Sequence, residues 1–500
     1  MVKVQNPIIW SDFPDPDVLR IGDTYYMVST TMFMMPGGPI LKSKDMCHWE
    51  LVSYIFNTIE DNDIYQLKNG KNAYGRGQWA TSLKYRQGKY YACFVCHDMK
   101  KTYIYYTDDI EKSGWDRYVL EGVYHDMSFL FDDGRAYLIY NGGEIRIVEL
   151  KDDLSGVKEG GINQLLFNTP GENIKLRCEG CRAYKINGYY YLIFIEWPSD
   201  GHARRRVVCY RSKNLLQQYE RKILLDDDMG YQGQGIAQGI IIDTPEGEWY
   251  SILFQDHGAV GRVPYLIPVS WENDWPVIGI DGRVPETFEA PFEPYAAKPL
   301  IISDSFEHSE DRLELQWEWN HNPEEDCWSF TERPGYLRLR TKSLEKDILA
   351  ARNTLTQRTG GPGCTFTVKL ETEGMKTGDH AGLTALQGNY GIVGVWVDET
   401  GSRRIYVSKK GAGGQQAEEE NIFLHSTSVF FKIEFDFENG KDIAKFYFSG
   451  DGDEWIKIGS NLKMLYTLDL FIGYRIGIFY YSQKESGGFA DFSNFVYTAG

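Results

Sequence analysis

Five segments of the chain repeat one pattern, Gly-x-x-Tyr followed by a short apolar run. The repeats begin at Gly22, Gly88, Gly134, Gly188 and Gly247, with tyrosines at Tyr25, Tyr91, Tyr137, Tyr191 and Tyr250. The glycines stand 66, 46, 54 and 59 residues apart, each in a turn context such as Asp133-Gly134-Arg135 or Asn187-Gly188-Tyr189. A glycine turn between β-rich runs is a hairpin signature, and roughly 50–60 residues per unit suits a four-stranded blade. Five blades close a β-propeller near residue 290, and no helix of convincing periodicity interrupts them. The predicted fold is all-β, with a five-bladed propeller over residues 1–288; the competing reading is a β-sandwich whose Gly-Tyr hairpins coincide by chance.

A length of 500 residues exceeds one ordinary core, so a second domain is expected. Pro285, Pro291, Pro294 and Pro299 cluster where the repeats stop, which marks residues 289–302 as an extended linker. From 303 to 500, alternating runs such as Tyr336–Arg340, Phe430–Phe435 and Ala444–Phe448 between Gly- and Asp-rich turns predict a β-sandwich.

Charge and composition exclude several partners. Lys plus Arg is 53 against 71 Asp plus Glu, a net charge of −18. Nucleic acid and anionic membrane surfaces need clustered positive charge and are therefore not expected. A neutral carbohydrate meets no such objection, and the 15% aromatic content supplies rings that pack on sugar C–H faces. No run of 18 apolar residues occurs. The opening Met1–Pro7 lacks a basic start followed by an apolar stretch, so a cytoplasmic protein is expected. Two Cys-x-x-Cys pairs, Cys93/Cys96 and Cys178/Cys181, raise the possibility of a zinc site. On a strand, however, i and i+3 point to opposite faces, which favours buried free thiols.

Candidate chemistry lies just before the repeat glycines. Asp15 precedes Gly22 by seven residues, Asp126 precedes Gly134 by eight, and Glu179 precedes Gly188 by nine. Trp79 precedes Gly88 by nine. In a propeller the innermost strand of each blade lines the channel, so equivalent positions converge at one mouth. Cleaving a glycosidic bond needs one carboxylic acid to protonate the leaving oxygen and a second carboxylate to activate water or attack the sugar. A third carboxylate raises the proton affinity of the acid by like-charge repulsion.

The segments Phe13-Pro14-Asp15-Pro16-Asp17-Val18, Asp126–Phe131 before Asp132-Asp133-Gly134, and Glu179-Gly180 before Tyr184–Gly188 resemble those of glycoside hydrolase family 43. The likeness extends through the C-terminal region around Gly488–Phe492, as in the family's two-domain β-xylosidases and α-L-arabinofuranosidases. Met127 and Cys181 depart from the prolines common at those positions. The resemblance implies an inverting mechanism with Asp15 as general base, Glu179 as general acid and Asp126 as modulator of the acid's pKa. It further implies that Arg262 binds sugar hydroxyls and that Trp79 and Phe33 wall the pocket. The Met-rich loop Thr30–Gly38 is expected to shape that pocket. His257 is implied as a substrate contact or a calcium ligand on the propeller axis, and Asp304 and Asp491 as holders of a structural calcium in the sandwich; the chemistry itself requires no cofactor. The implied activity is exo-acting release of terminal α-L-arabinofuranosyl units from arabinoxylan or its oligosaccharides. β-D-xylosidase activity at the same site is the alternative, and a non-catalytic carbohydrate-binding propeller is the alternative of another class.

Overall fold

A computed structural model describes residues 1–199, 204–411 and 416–500. Five four-stranded antiparallel sheets follow one another in the chain, built from consecutive strands except that blade one omits the short strand Met34–Met35. Blade one comprises Asp17–Ile21, Thr24–Val28, Gly37–Ser43 and Glu50–Phe56. The innermost strands of blades two to five are Ser82–Arg86, Ser128–Asp132, Ile174–Ile186 and Ala237–Asp243. Each of the five repeat glycines forms the first hairpin turn of its blade, with φ between +63° and +88°. Gln87, Asp133 and Asn187, just before three of them, also have positive φ. Two consecutive positive φ values define the type I′ turn, whose twist matches the flanking strands. Space is not the reason for glycine there, since an added Cβ would meet nothing within 4 Å at any of the five; conformation is.

Neighbouring blades are clasped by side chains at matching positions near the channel. Asp17 accepts a hydrogen bond from the Leu83 amide at 2.8 Å, Ser82 from Phe129 at 3.1 Å, and Ser128 from Ala183 at 3.0 Å. The Tyr184 hydroxyl accepts from the Ile241 amide at 3.1 Å, and Arg20 closes the ring onto Asp243 with a 2.7 Å ion pair. The chain start, Val2–Gln5, pairs with Thr287–Ala290, and the Asn6 carboxamide bonds both ways to the Leu266 backbone of blade five.

The C-terminal half is a sandwich of two large antiparallel sheets. Strands Gly363–Glu371 and Ser428–Asp436 alternate strictly between buried and half-buried residues, as expected when one face meets the opposing sheet. Its core of Phe366, Val368, Phe431, Ile433 and Val393 belongs to one apolar cluster with Ile193 and Val207 of blade four and Ile241, Val263 and Ile267 of blade five. One strand crosses the domain boundary: Met34–Met35 of blade one joins the sandwich sheet by pairing with Trp319–Asn320. The methionines of that loop therefore do not line a pocket. Met32, Met34 and Met35 are buried, and their segment is a joint between the domains. All eight cysteines are buried and free; Cys93 and Cys96 enter different apolar clusters, as i and i+3 on a regular strand do, whereas Cys178 and Cys181 share one, on a strand bulged around Glu179. No helix among the described residues is long and apolar enough to cross a membrane.

Candidate active site

Asp15 and Asp126 sit just before the innermost strands of their blades and Glu179 within its own, all on backbone that is not ordinary β. Asp15 has φ +55° and Asp126 φ +46°, a left-handed conformation that Asp tolerates better than most residues. Glu179 lies on a bulged stretch of Ile174–Ile186, where the register with Tyr189–Pro198 shifts on both sides of it, and Gly180 follows at φ +68°. Bulges re-aim side chains beside active sites. An added Cβ on Gly180 would lie 2.9 Å from the Gln238 carboxamide, which would have to shift, so glycine is favoured there chiefly by φ.

These positions bring the acids within electrostatic reach of one another. Asp126 accepts a 3.0 Å bond from the Gly180 amide, next to Glu179. Burial pushes the Asp126 carboxyl up to about 6; the His125 cation opposes the rise, and Glu179 and Asp15 add to it. His125 lies 3.6 Å from Asp126 and 3.5 Å from Glu179. Asp15 is buried and receives both its oxygen bonds from Arg262 Nη1, at 3.1 and 3.2 Å. Its backbone carbonyl is held by Arg182, a fully buried side chain that also reaches the carbonyls of Thr81 and Cys181.

Aromatic rings surround this centre. Trp79 is half-buried, 5.1 Å from His97, 6.3 Å from His125 and 5.6 Å from Phe471. Phe471 comes from the sandwich, and the Arg262 guanidinium lies over its ring at 4.7 Å. Phe33 does not wall the pocket. It is fully buried between Tyr74 and His321, at 4.8 and 5.0 Å, because its segment carries the strand that enters the sandwich.

The two sandwich carboxylates implied by the resemblance do not offer a calcium site. Asp491 is occupied by Arg333 at 2.8 Å and by two nitrogens of Arg338 at 2.7 and 2.8 Å. Asp304 accepts from the Trp317 indole at 2.9 Å, the Phe306 amide at 2.8 Å and His308 at 3.0 Å. Carboxylates whose lone pairs are taken by protein donors do not fit a cation that wants six to eight oxygens. His257 is enclosed rather than facing the acids. It stacks on Tyr231 at 4.1 Å, its Nε2 meets Gln255 and Tyr265, and burial lowers its pKa to about 4. Its Nδ1 lacks a partner, but His257 belongs to neither cluster of three or more ligand-type side chains among the described residues.

Arg182 and Phe471 escaped the reading of the sequence. Arg182 occupies the channel phase of Asp17, Ser82 and Ser128, two residues past Gly180, so extending the repeat register would have found it. Phe471 carries no signal in a repeat confined to the propeller. His125 stands beside Asp126 in the sequence but has no repeat counterpart that would single it out.

Carboxyl groups converging from three blades on one channel mouth are the equipment of glycosidic-bond hydrolysis, and the class of protein is a glycoside hydrolase. The description "Glycosyl hydrolases family 43" matches residues 4–276, and "Beta xylosidase C-terminal Concanavalin A-like domain" matches residues 303–498. The chain belongs to glycoside hydrolase family 43. A β-xylosidase of Formosa agariphila is 28% identical over 98% of this chain and 90% of its own. A non-reducing end α-L-arabinofuranosidase of Bacteroides ovatus is 28% identical over 81% of this chain and 78% of its own. Among solved structures, a bifunctional GH43-CE of Bacteroides eggerthii superposes with a TM-score of 0.94 at 44% identity. That match covers 99% of this chain, which spans 63% of the Bacteroides eggerthii protein.

Proposed function

We propose that this hydrolase removes terminal pentosyl units from xylan-derived chains by inversion, with α-L-arabinofuranosyl on arabinoxylan oligosaccharides as the leading substrate. The observation that carries the mechanism is the placement of Asp126, which feels both Glu179 and Asp15. Asp15, oriented by Arg262, takes the proton of a water that attacks the anomeric carbon. Glu179 gives its proton to the departing glycosidic oxygen from the other face. Asp126 stays largely ionised above about pH 6 and tunes the proton held by Glu179. Arg262, with Phe471 and Trp79 around it, receives the terminal sugar, and Phe471 brings the sandwich to the edge of that subsite, which suits action at a chain end. β-D-xylosyl is the second reading, favoured by the Formosa agariphila relative, which aligns over nearly the whole chain.

The test is hydrolysis of nitrophenyl α-L-arabinofuranoside and nitrophenyl β-D-xyloside side by side, with polarimetry of the released sugar. Turnover of the arabinoside with inverted configuration is the expected result. Preference for the xyloside selects the second reading, retained configuration overturns the assignment of Asp15, and binding of oligosaccharide without any cleavage favours a carbohydrate-binding propeller.

A further inference from the structure

Asp126 and Glu179 share a neighbour to which the mechanism above gives no role. His125 turns its ring back into the site, with Nε2 3.5 Å from Glu179 Oε2 and Nδ1 3.6 Å from Asp126 Oδ1. His97, just past the second strand of blade two (Lys89–Cys96), sets its Nε2 3.0 Å from His125 Nδ1. The Trp79 ring packs edge-on against both imidazoles, and the His125 carbonyl is fixed by the Asn141 amide at 2.7 Å. One imidazole thus touches two carboxyl groups, a second imidazole and an indole.

The charges settle which imidazole carries the proton. Asp126 chiefly, with help from Glu179 and against burial, pushes the His125 pKa up to about 9. Burial and the neighbouring His125 charge lower that of His97, although Asp98 and Glu179 pull the other way. His125 is therefore the cation through neutrality, and neutral His97 accepts its Nδ1–H. Besides His125, Asp126 faces Glu179, Asp15 and Arg182.

We propose that His125 is the positioning residue of the acid pair: its imidazolium, clamped by His97, bridges Asp126 and Glu179, aims the Glu179 carboxyl at the glycosidic oxygen and keeps Asp126 ionised. This rests on the reading of Glu179 as general acid and Asp126 as its modulator. The bridge has two separable parts, a hydrogen bond that orients and a charge that sets protonation. His125→Gln retains a donor without the charge, and His125→Phe retains neither.

The sign of the charge effect follows from Asp126. Removing a cation next to a carboxylate lets it take a proton at higher pH. The acid limb of the kcat/KM profile therefore rises by about one pH unit in both variants. Misorientation of Glu179 lowers kcat by about ten- to a hundredfold in His125→Phe, with KM nearly unchanged. His125→Gln recovers part of kcat but not the limb. A folded His125→Phe enzyme with wild-type kcat and an unmoved acid limb overturns the proposal. NMR titration of the histidine rings in the full-length protein tests the bridge without turnover, using His125→Phe to assign the signal. The expected His125 midpoint is near 9 and falls toward 6.5 in Asp126→Asn. A wild-type midpoint below about 7 overturns the proposal, even if the enzyme cleaves its substrate as expected. If neither glycoside is hydrolysed but His125 titrates near 9, the bridge stands and the proposed substrate fails.

Discussion

Arg182→Leu tests how the channel holds the base. The guanidinium is fully buried and donates to the carbonyls of Asp15, Thr81 and Cys181 at 3.1, 3.2 and 3.0 Å. Its Nε also lies 3.7 Å from Asp17, a buried carboxylate. Leucine fills much of the volume but supplies no donor, so three carbonyls from three blades lose their partner. Each charge-assisted bond is worth about 1.5–3 kcal/mol. The three act as one network and do not add, so the loss is set near the cost of breaking a buried pair, about 3–5 kcal/mol. Asp17 retains the Leu83 amide and Lys84 at 3.5 Å, which places the expectation at about 4 kcal/mol. Urea unfolding followed by tryptophan fluorescence measures it. The surviving folded fraction should show kcat lowered about a hundredfold, because the Asp15 backbone is no longer held. A stability loss under about 1 kcal/mol, less than the smallest single bond assigned here, refutes the view that Arg182 pins the base, above all with kcat intact.

Other expectations are narrower. Glu179→Gln should lower kcat by about 10²–10⁴-fold on oligosaccharides and much less on dinitrophenyl glycosides, whose leaving group needs no protonation; equal losses on both would remove Glu179 from the acid role. Wild-type kcat/KM should fall as pH drops below about 6, because Asp126 then takes up a proton, and a flat profile between pH 4 and 7, spanning the ordinary and the raised carboxyl values, would contradict that. Gly134→Ala should cost about 1–2 kcal/mol purely through its φ of +77°, since nothing lies within 4 Å of the added methyl; a neutral result in chemical denaturation would mean the turn had changed type. Dialysis against EGTA should leave activity and melting temperature unchanged, given that Asp304 and Asp491 are committed to protein donors, and a drop reversed by added calcium would restore a metal role.

Legibility from the sequence followed the range of the forces involved. The blade repeat was readable because a type I′ turn demands positive φ at a fixed place, and glycine records that demand at Gly88, Gly134 and Gly188 without help from distant residues. That Asp15, Asp126 and Glu179 come together at the channel was readable because the repeat gave them a common phase. Phe33 was misplaced because an aromatic in a loop looks the same whether it faces a pocket or a neighbouring domain. Asp304 and Asp491 were misplaced because spacing shows a carboxylate but not the arginine or indole that occupies it. Phe471 and the pairing of Met34–Met35 with Trp319–Asn320 stayed hidden, since both depend on contacts between segments hundreds of residues apart.

That last pairing sets a timetable for synthesis. Met35 leaves the ribosome long before its strand partner Trp319 exists, and at about 5–20 residues per second the interval is roughly 15–60 s. Blade one can form its own four strands in that time, but its outgoing methionine strand has no edge to join. The nascent propeller therefore carries an apolar, unpaired segment for most of its own translation.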